Sequence, residues 1–155
     1  MILTVSGWRD WNLGPTVIHE HLERYRAKYG ASLHVRVGDA DGVDKHIRDW
    51  LFAAEQGGSG ISYYVYVANW GVPRDRAAGP IRNARMLQGL NEDDLMHGHL
   101  AHELLAFPQP GINWRQPGSG TVDCILQAVK LGVTLHVPGF VRPRLSGRQE
   151  PRLWD

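Results

Sequence analysis

The stretch "LHVRVGDADGVDKHIRDWLFAAEQGGSGISYYVYVA", residues 33–68, decides the fold. It opens with a short β-rich run, "LHVRV" (33–37), and continues through a loop crowded with glycine and aspartate. In the next segment, 42–56, Val43, Ile47, Trp50, Leu51 and Ala54 recur at three and four residues, the spacing of one apolar face on a helix. "GGSG" (57–60) then joins that helix to a second β-rich run over 62–68. Strand, helix and strand in this order predict two parallel strands bridged by a packed helix.

The same alternation extends to both sides. "ILTVS" (2–6) reads as a strand, and 14–30 as a helix with Val17, Leu22 and Tyr25 among its apolar positions and Gly30 as its stop. Downstream, 79–90 reads as a helix, "HELLAF" (102–107) as a strand, 121–132 as a helix and 133–137 as a last strand. The expected fold is therefore α/β, a three-layer Rossmann-like arrangement with a mostly parallel five-stranded sheet. Residues 1–137 form the expected domain, and 138–155, with three prolines, four arginines and little periodicity, an extended tail.

Composition narrows the function classes. With 155 residues and 43% hydrophobic content the chain has the size of one domain, and its formal charge of +1 argues against a nucleic-acid or acidic membrane partner. No run approaches the ~18 apolar residues of a membrane span, so a cytosolic protein is expected. Cys124 is the only cysteine, which excludes an internal disulfide and a thiolate-rich zinc site. "HGHLAH" brings His97, His99 and His102 close together, but no acid or thiol stands at a recognised metal spacing; "NEDDLM" beside it reads as a solvated turn. Neither a metal nor a cofactor is expected.

The functional signal lies in the joints. Loops leaving the carboxyl ends of parallel strands share one edge, and ligands bind there. Here those loops are "SGWRDW", "GDADGVD", "NWGVPRDRAAGPIRN" and "FPQPGINWRQPGSGT", all rich in glycine and most of them strongly charged, whereas opposite joints such as "YGAS" and "KLG" are plain. Gly118 and Gly120 can bring backbone N–H groups to a phosphate, Ser119 and Thr121 add hydroxyls, and the next helix adds its positive end. Gly79 and Pro80 open a second such turn with Arg82 and Asn83 in it, and Arg9 offers a fork of donors. Asp39, Asp41 and Asp44 can accept from sugar hydroxyls, and Trp8, Trp11 and Trp70 can stack on a base. Taken singly, these features have plainer readings: the glycines serve turn geometry, Asp44 starts its helix, and the tryptophans fill the core. The conjunction of four such loops favours a nucleotide pocket.

Two familiar nucleotide motifs are missing. "SGWRDWNLG" lacks the G-x-G-x-x-G of dinucleotide enzymes, and "PGSGTVD" lacks the lysine of a P-loop. Instead, "ILTVSGWRDW", "GDADGVDKHIRDW", "VANWGVPRDRAAGPIRNARML", "LLAFP" and "GSGTVDCILQAVKLGV" resemble, in order and over about residues 2–137, the YspA-like branch of the SLOG superfamily. These are Rossmann-like nucleotide-binding proteins of bacteria and phages, related to the Lonely Guy phosphoribohydrolases and to DNA-processing protein A. The resemblance implies a site for a nucleoside monophosphate or an ADP-ribose-like ligand. Its binding positions would be Ser6, Gly7, Arg9, Gly38, Asp39, Asp44, Gly79, Arg82, Asn83, Gly118, Ser119, Gly120 and Thr121. It also implies a homodimer.

One departure separates binding from catalysis. The phosphoribohydrolase turn reads P-G-G-x-G-T-x-x-E, and Cys124 stands here where that glutamate belongs. A thiol does not stabilise an oxocarbenium-like centre as a carboxylate does. Asp123, one position earlier, lies about 100° around the helix and substitutes only if the turn is shifted. The expected function is binding or sensing of a nucleotide-derived ligand. The alternative is N-glycosidic hydrolysis of a nucleoside 5′-monophosphate, with Asp123 and Arg82 as its catalytic pair.

Overall fold

The computed structural model describes residues 1–71, 73–115 and 119–138. Gly118 and the expected tail from 139 onward lie outside the described residues. Within them the chain runs β1 (Ile2–Gly7), α1 (Thr16–Tyr29), β2 (His34–Gly38), α2 (Val43–Gln56), β3 (Ser62–Tyr66), α3 (Ala78–Gln88), β4 (Glu103–Phe107), α4 (Gly120–Leu131) and β5 (Thr134–His136). The strands form one sheet in the order β3-β2-β1-β4-β5, and every pairing is parallel. The expected α/β sheet is thus present.

Strand order reverses after β3, so right-handed crossovers place α1 and α2 on one face and α3 and α4 on the other. The helices of each pair pack on one another. With both faces covered, the strands need no polar side, and Leu3, Val5, Val35, Val37, Leu104 and Leu105 are all buried to within 1%. The third and fifth strands read from sequence, expected over 62–68 and 133–137, are shorter than expected at their ends. Pairing of β3 stops where its neighbour stops, with Gly38 opposite Tyr66, and β5 pairs only over 134–136. No helix among the described residues is long and apolar enough to cross a membrane.

The segment read as a solvated turn, "NEDDLM", is a correction. Asp94 within it is 2% exposed and closes a buried polar cluster under α3. Its Oδ2 accepts from Arg36 Nε at 2.9 Å and from the Tyr66 hydroxyl at 2.5 Å, and its Oδ1 meets His34 Nε2 at 2.7 Å. Arg36 is fully buried and also donates to the carbonyls of Met86, Leu87 and Met96. Gly89, at φ +68°, ends α3 where a Cβ would run into the Arg36 guanidinium. An ion pair buried this way is tolerated because its carboxylate and each guanidinium nitrogen find hydrogen-bond partners.

Candidate functional site

The sheet's order reverses between β1 and β4, and a cleft of about 550 Å³ opens over the carboxyl ends of the strands beside that point. Close packing of backbone makes it. Gly7 leaves room for Val43, and Gly42, at φ +67°, lies against the carbonyls of Trp8 and Arg9, so α2 starts hard against the loop after β1. Of the positions expected from sequence, Ser6, Gly7, Arg9, Asp39, Asp44, Gly79, Arg82, Ser119, Gly120, Thr121 and Asp123 line this one cleft. Gly38 and Asn83 do not line it but support it from behind.

The anion-attracting side is the start of α4. Ser119 precedes the helix in extended conformation and its side chain caps nothing, while the first backbone bond inside the helix runs from Asp123 N to Ser119 O at 2.9 Å. The N–H groups of Gly120 to Val122 therefore lack intrahelical acceptors, and those of the first two start at the cleft wall. Across from them stand Arg9, Arg74 and Arg76, exposed and without a carboxylate partner among the described residues. Trp70 roofs the same region. Its ring lies on the start of α3, where a Cβ on Gly79 would sit 3.2 Å away, and Arg74 stacks on it at 4.4 Å from the ring centroid.

Arg82 is placed differently from a free phosphate fork. Its Nη1 pairs with Asp39 Oδ1 at 2.9 Å, its side chain is only 12% exposed, and its buried Nε has no partner among the described residues. Asp39 Oδ1 also accepts the Ala68 N–H, so this pair ties three joints together. Asn83 is 1% exposed and donates from Nδ2 to Gly120 O and to Asp123 Oδ2, while its Oδ1 is buried without a partner.

α4 turns Asp123, not Cys124, toward the cleft. Its Oδ2 takes both Asn83 Nδ2 at 3.0 Å and Gln127 Nε2 at 2.7 Å, leaving Oδ1 without a partner among the described residues. Cys124 is fully buried behind it. Burial pushes its thiol up to about 12, with the Ser6 hydroxyl beside it acting in the opposite sense, so it stays protonated and is no nucleophile. Trp11 belongs to the core, edge-on to Phe107 at 5.8 Å, whereas Trp8 and Trp70 border the cleft. Arg74 and Arg76 were not singled out from sequence, although the charged loop that carries them was; nothing in their spacing distinguishes them from solubilising arginines.

Compared with protein-family models, with curated proteins and with solved structures, the chain shows no significant match. The likeness to the SLOG superfamily accordingly rests on the motifs quoted above.

Proposed function

We propose that the protein binds a phosphate-bearing, nucleotide-derived small molecule, a nucleoside monophosphate or an ADP-ribose-like ligand, in the cleft over β1 and β4. One observation carries this reading: the uncapped start of α4 opens into the same space as three arginines that have no carboxylate partner among the described residues. The cleft's size suits such a ligand, since small-molecule sites run to roughly 300–1,000 Å³. Asp39 and Asp41 supply acceptors for sugar hydroxyls, and Trp70 a face for a base.

Titration calorimetry with AMP, ADP-ribose, NAD and cyclic nucleotides tests the reading. Binding of at least one, abolished by excess inorganic phosphate or by charge reversal at Arg9, is expected. Silence across the panel sinks it. The SLOG-like motifs add a homodimer, which the molar mass in solution, measured by light scattering, checks directly.

A second reading is N-glycosidic hydrolysis. The observation in its favour is Asp123, whose carboxylate reaches the cleft with one oxygen fixed by two amides and the other unpartnered. Base release from AMP separates it from binding alone.

A further inference from the structure

Lining the cleft is a carboxyl group that no ion pair neutralises among the described residues. Asp44 stands in the first turn of α2 and is 4% exposed. Its Oδ2 accepts the Ala40 N–H at 3.2 Å, and its Oδ1 has no partner among the described residues. The carboxyl is pressed against bare backbone, for a Cβ on Gly38 would sit 2.5 Å from Oδ2.

Charged groups face Asp44 from several elements, and among the described residues none forms an ion pair with it. Arg82 comes from α3 and Asp39 from the loop after β2, and these two are bound to each other at 2.9 Å. Arg48, one turn along α2, spends its Nη1 on the carbonyls of Gly38 and Ala40 at 2.9 and 2.8 Å. From α4 comes the neutral thiol of Cys124, with Asp123 next to it. Burial dominates and pushes the Asp44 carboxyl up to about 7, against the pull of Arg82, the Ala40 N–H and Arg48.

We propose that Asp44 is the proton-carrying group of the cleft: as a neutral acid it donates a hydrogen bond from its unpartnered oxygen to the bound anion, and on ionising it repels that anion. The inference rests on the anion-binding reading above and adds to it a control by pH. A carboxylic acid is suited to this because protonation turns an acceptor-only group into a donor and removes a like charge in one step. Among the described residues no histidine lines the cleft, so a change of affinity near neutral pH has no other obvious source there.

The test uses ADP-ribose, whose diphosphate diester keeps a constant charge around neutrality, titrated into wild type and Asp44→Asn. Wild-type affinity should fall about tenfold between about pH 6 and about pH 8, one proton being linked to binding. Asp44→Asn, whose amide donates at every pH, should bind with a flat profile. In parallel, the side-chain carboxyl carbon of Asp44 is followed by NMR in the ligand-free wild type, which needs no variant to fold. A resonance titrating near neutrality supports the proposal; one that ionises in the ordinary carboxylate range overturns it. Equal pH slopes in the two proteins overturn it while leaving anion binding intact. No binding of ADP-ribose at any pH, with the resonance nevertheless titrating near neutrality, instead overturns the reading of the cleft and the gating with it.

Discussion

Asn83 on α3 holds α4 with one nitrogen: its Nδ2 lies 3.0 Å from both Gly120 O and Asp123 Oδ2. A single buried amide thus fixes the first turn of α4 and the carboxylate that this helix turns toward the cleft. Gln127 closes the arrangement by bridging Asp123 Oδ2 to Pro80 O at the start of α3. The two helices that border the cleft are therefore positioned by polar contacts at their amino ends, in addition to their packing.

Replacing that donor by an acceptor should be costly. Asn83→Asp sets a carboxylate against a carbonyl and another carboxylate, with the site 1% exposed. Stability should drop by roughly 1–3 kcal/mol, the penalty for leaving buried polar groups unsatisfied, and ligand affinity should drop with it. Urea denaturation measures the first. A variant as stable as wild type would show that Asn83 does not brace the helix.

The buried cluster at the other end of the sheet predicts acid lability. Burial lowers the His34 pKa from 6.5 against the opposing pull of Asp94. Burial alone would raise Asp94, but the Tyr66 hydroxyl, the Met96 N–H, Arg36 and His34 together hold it below 3.8. Both groups therefore take up protons more readily unfolded than folded. Their stabilising effect is present above the unfolded pKa and is lost as pH falls, first through the histidine range and then below the usual carboxylate range. Because the raised Asp44 carboxyl acts in the opposite sense over the same range, the effect is read in an Asp44→Asn background, where denaturation midpoints should decline from about pH 7 to about pH 3. Asp94→Asn, which strands Arg36 in the core, should cost about 3–5 kcal/mol at neutral pH.

Much of this architecture was legible in the residues. The apolar recurrence from Val43 to Ala54 announced α2, and the buried strand "ILTVS" announced β1, because both signals are local. The convergence of Arg9, Asp39 and Ser119 was legible too, since a parallel sheet gathers those loops whatever their sequence. What stayed hidden depends on partners distant in the chain. Asp94 looked solvated because Arg36 and His34 stand 58 and 60 positions away. Arg82 looked free because its partner Asp39 lies 43 positions back, on another joint. Asp123 was judged turned away on the assumption that the helix begins as in the phosphoribohydrolases, whereas its true orientation follows from contacts with Asn83 and Gln127.

Two arginines of the cleft should answer differently to the same substitution. Arg9 is exposed and has no carboxylate partner among the described residues, so Arg9→Ala should weaken ADP-ribose binding about tenfold, the loss of one charge-assisted hydrogen bond, with the melting temperature unchanged. Arg82→Ala removes the partner of Asp39 in a half-buried setting and should lower the melting temperature as well. Calorimetry and thermal scans of the pair make the comparison. If Arg82→Ala reduced affinity alone, the pairing with Asp39 would be incidental and Arg82 would act mainly on the ligand.

The wild type should release no free base from AMP over hours. Arginines and helix N–H groups that grip a phosphate hold it equally in the ground and transition states, which tightens binding and leaves the barrier to glycosidic cleavage where it was. Cleavage would need a carboxylate at the sugar carbon, and the Asp123 oxygen fixed by Asn83 and Gln127 leaves one other oxygen for that work. Chromatography of adenine released from AMP, in wild type and in Asp123→Asn, decides between the two. Adenine formed by the wild type and absent from Asp123→Asn, with unchanged circular dichroism in the variant, would overturn the binding-only reading and make Asp123 the catalytic carboxylate.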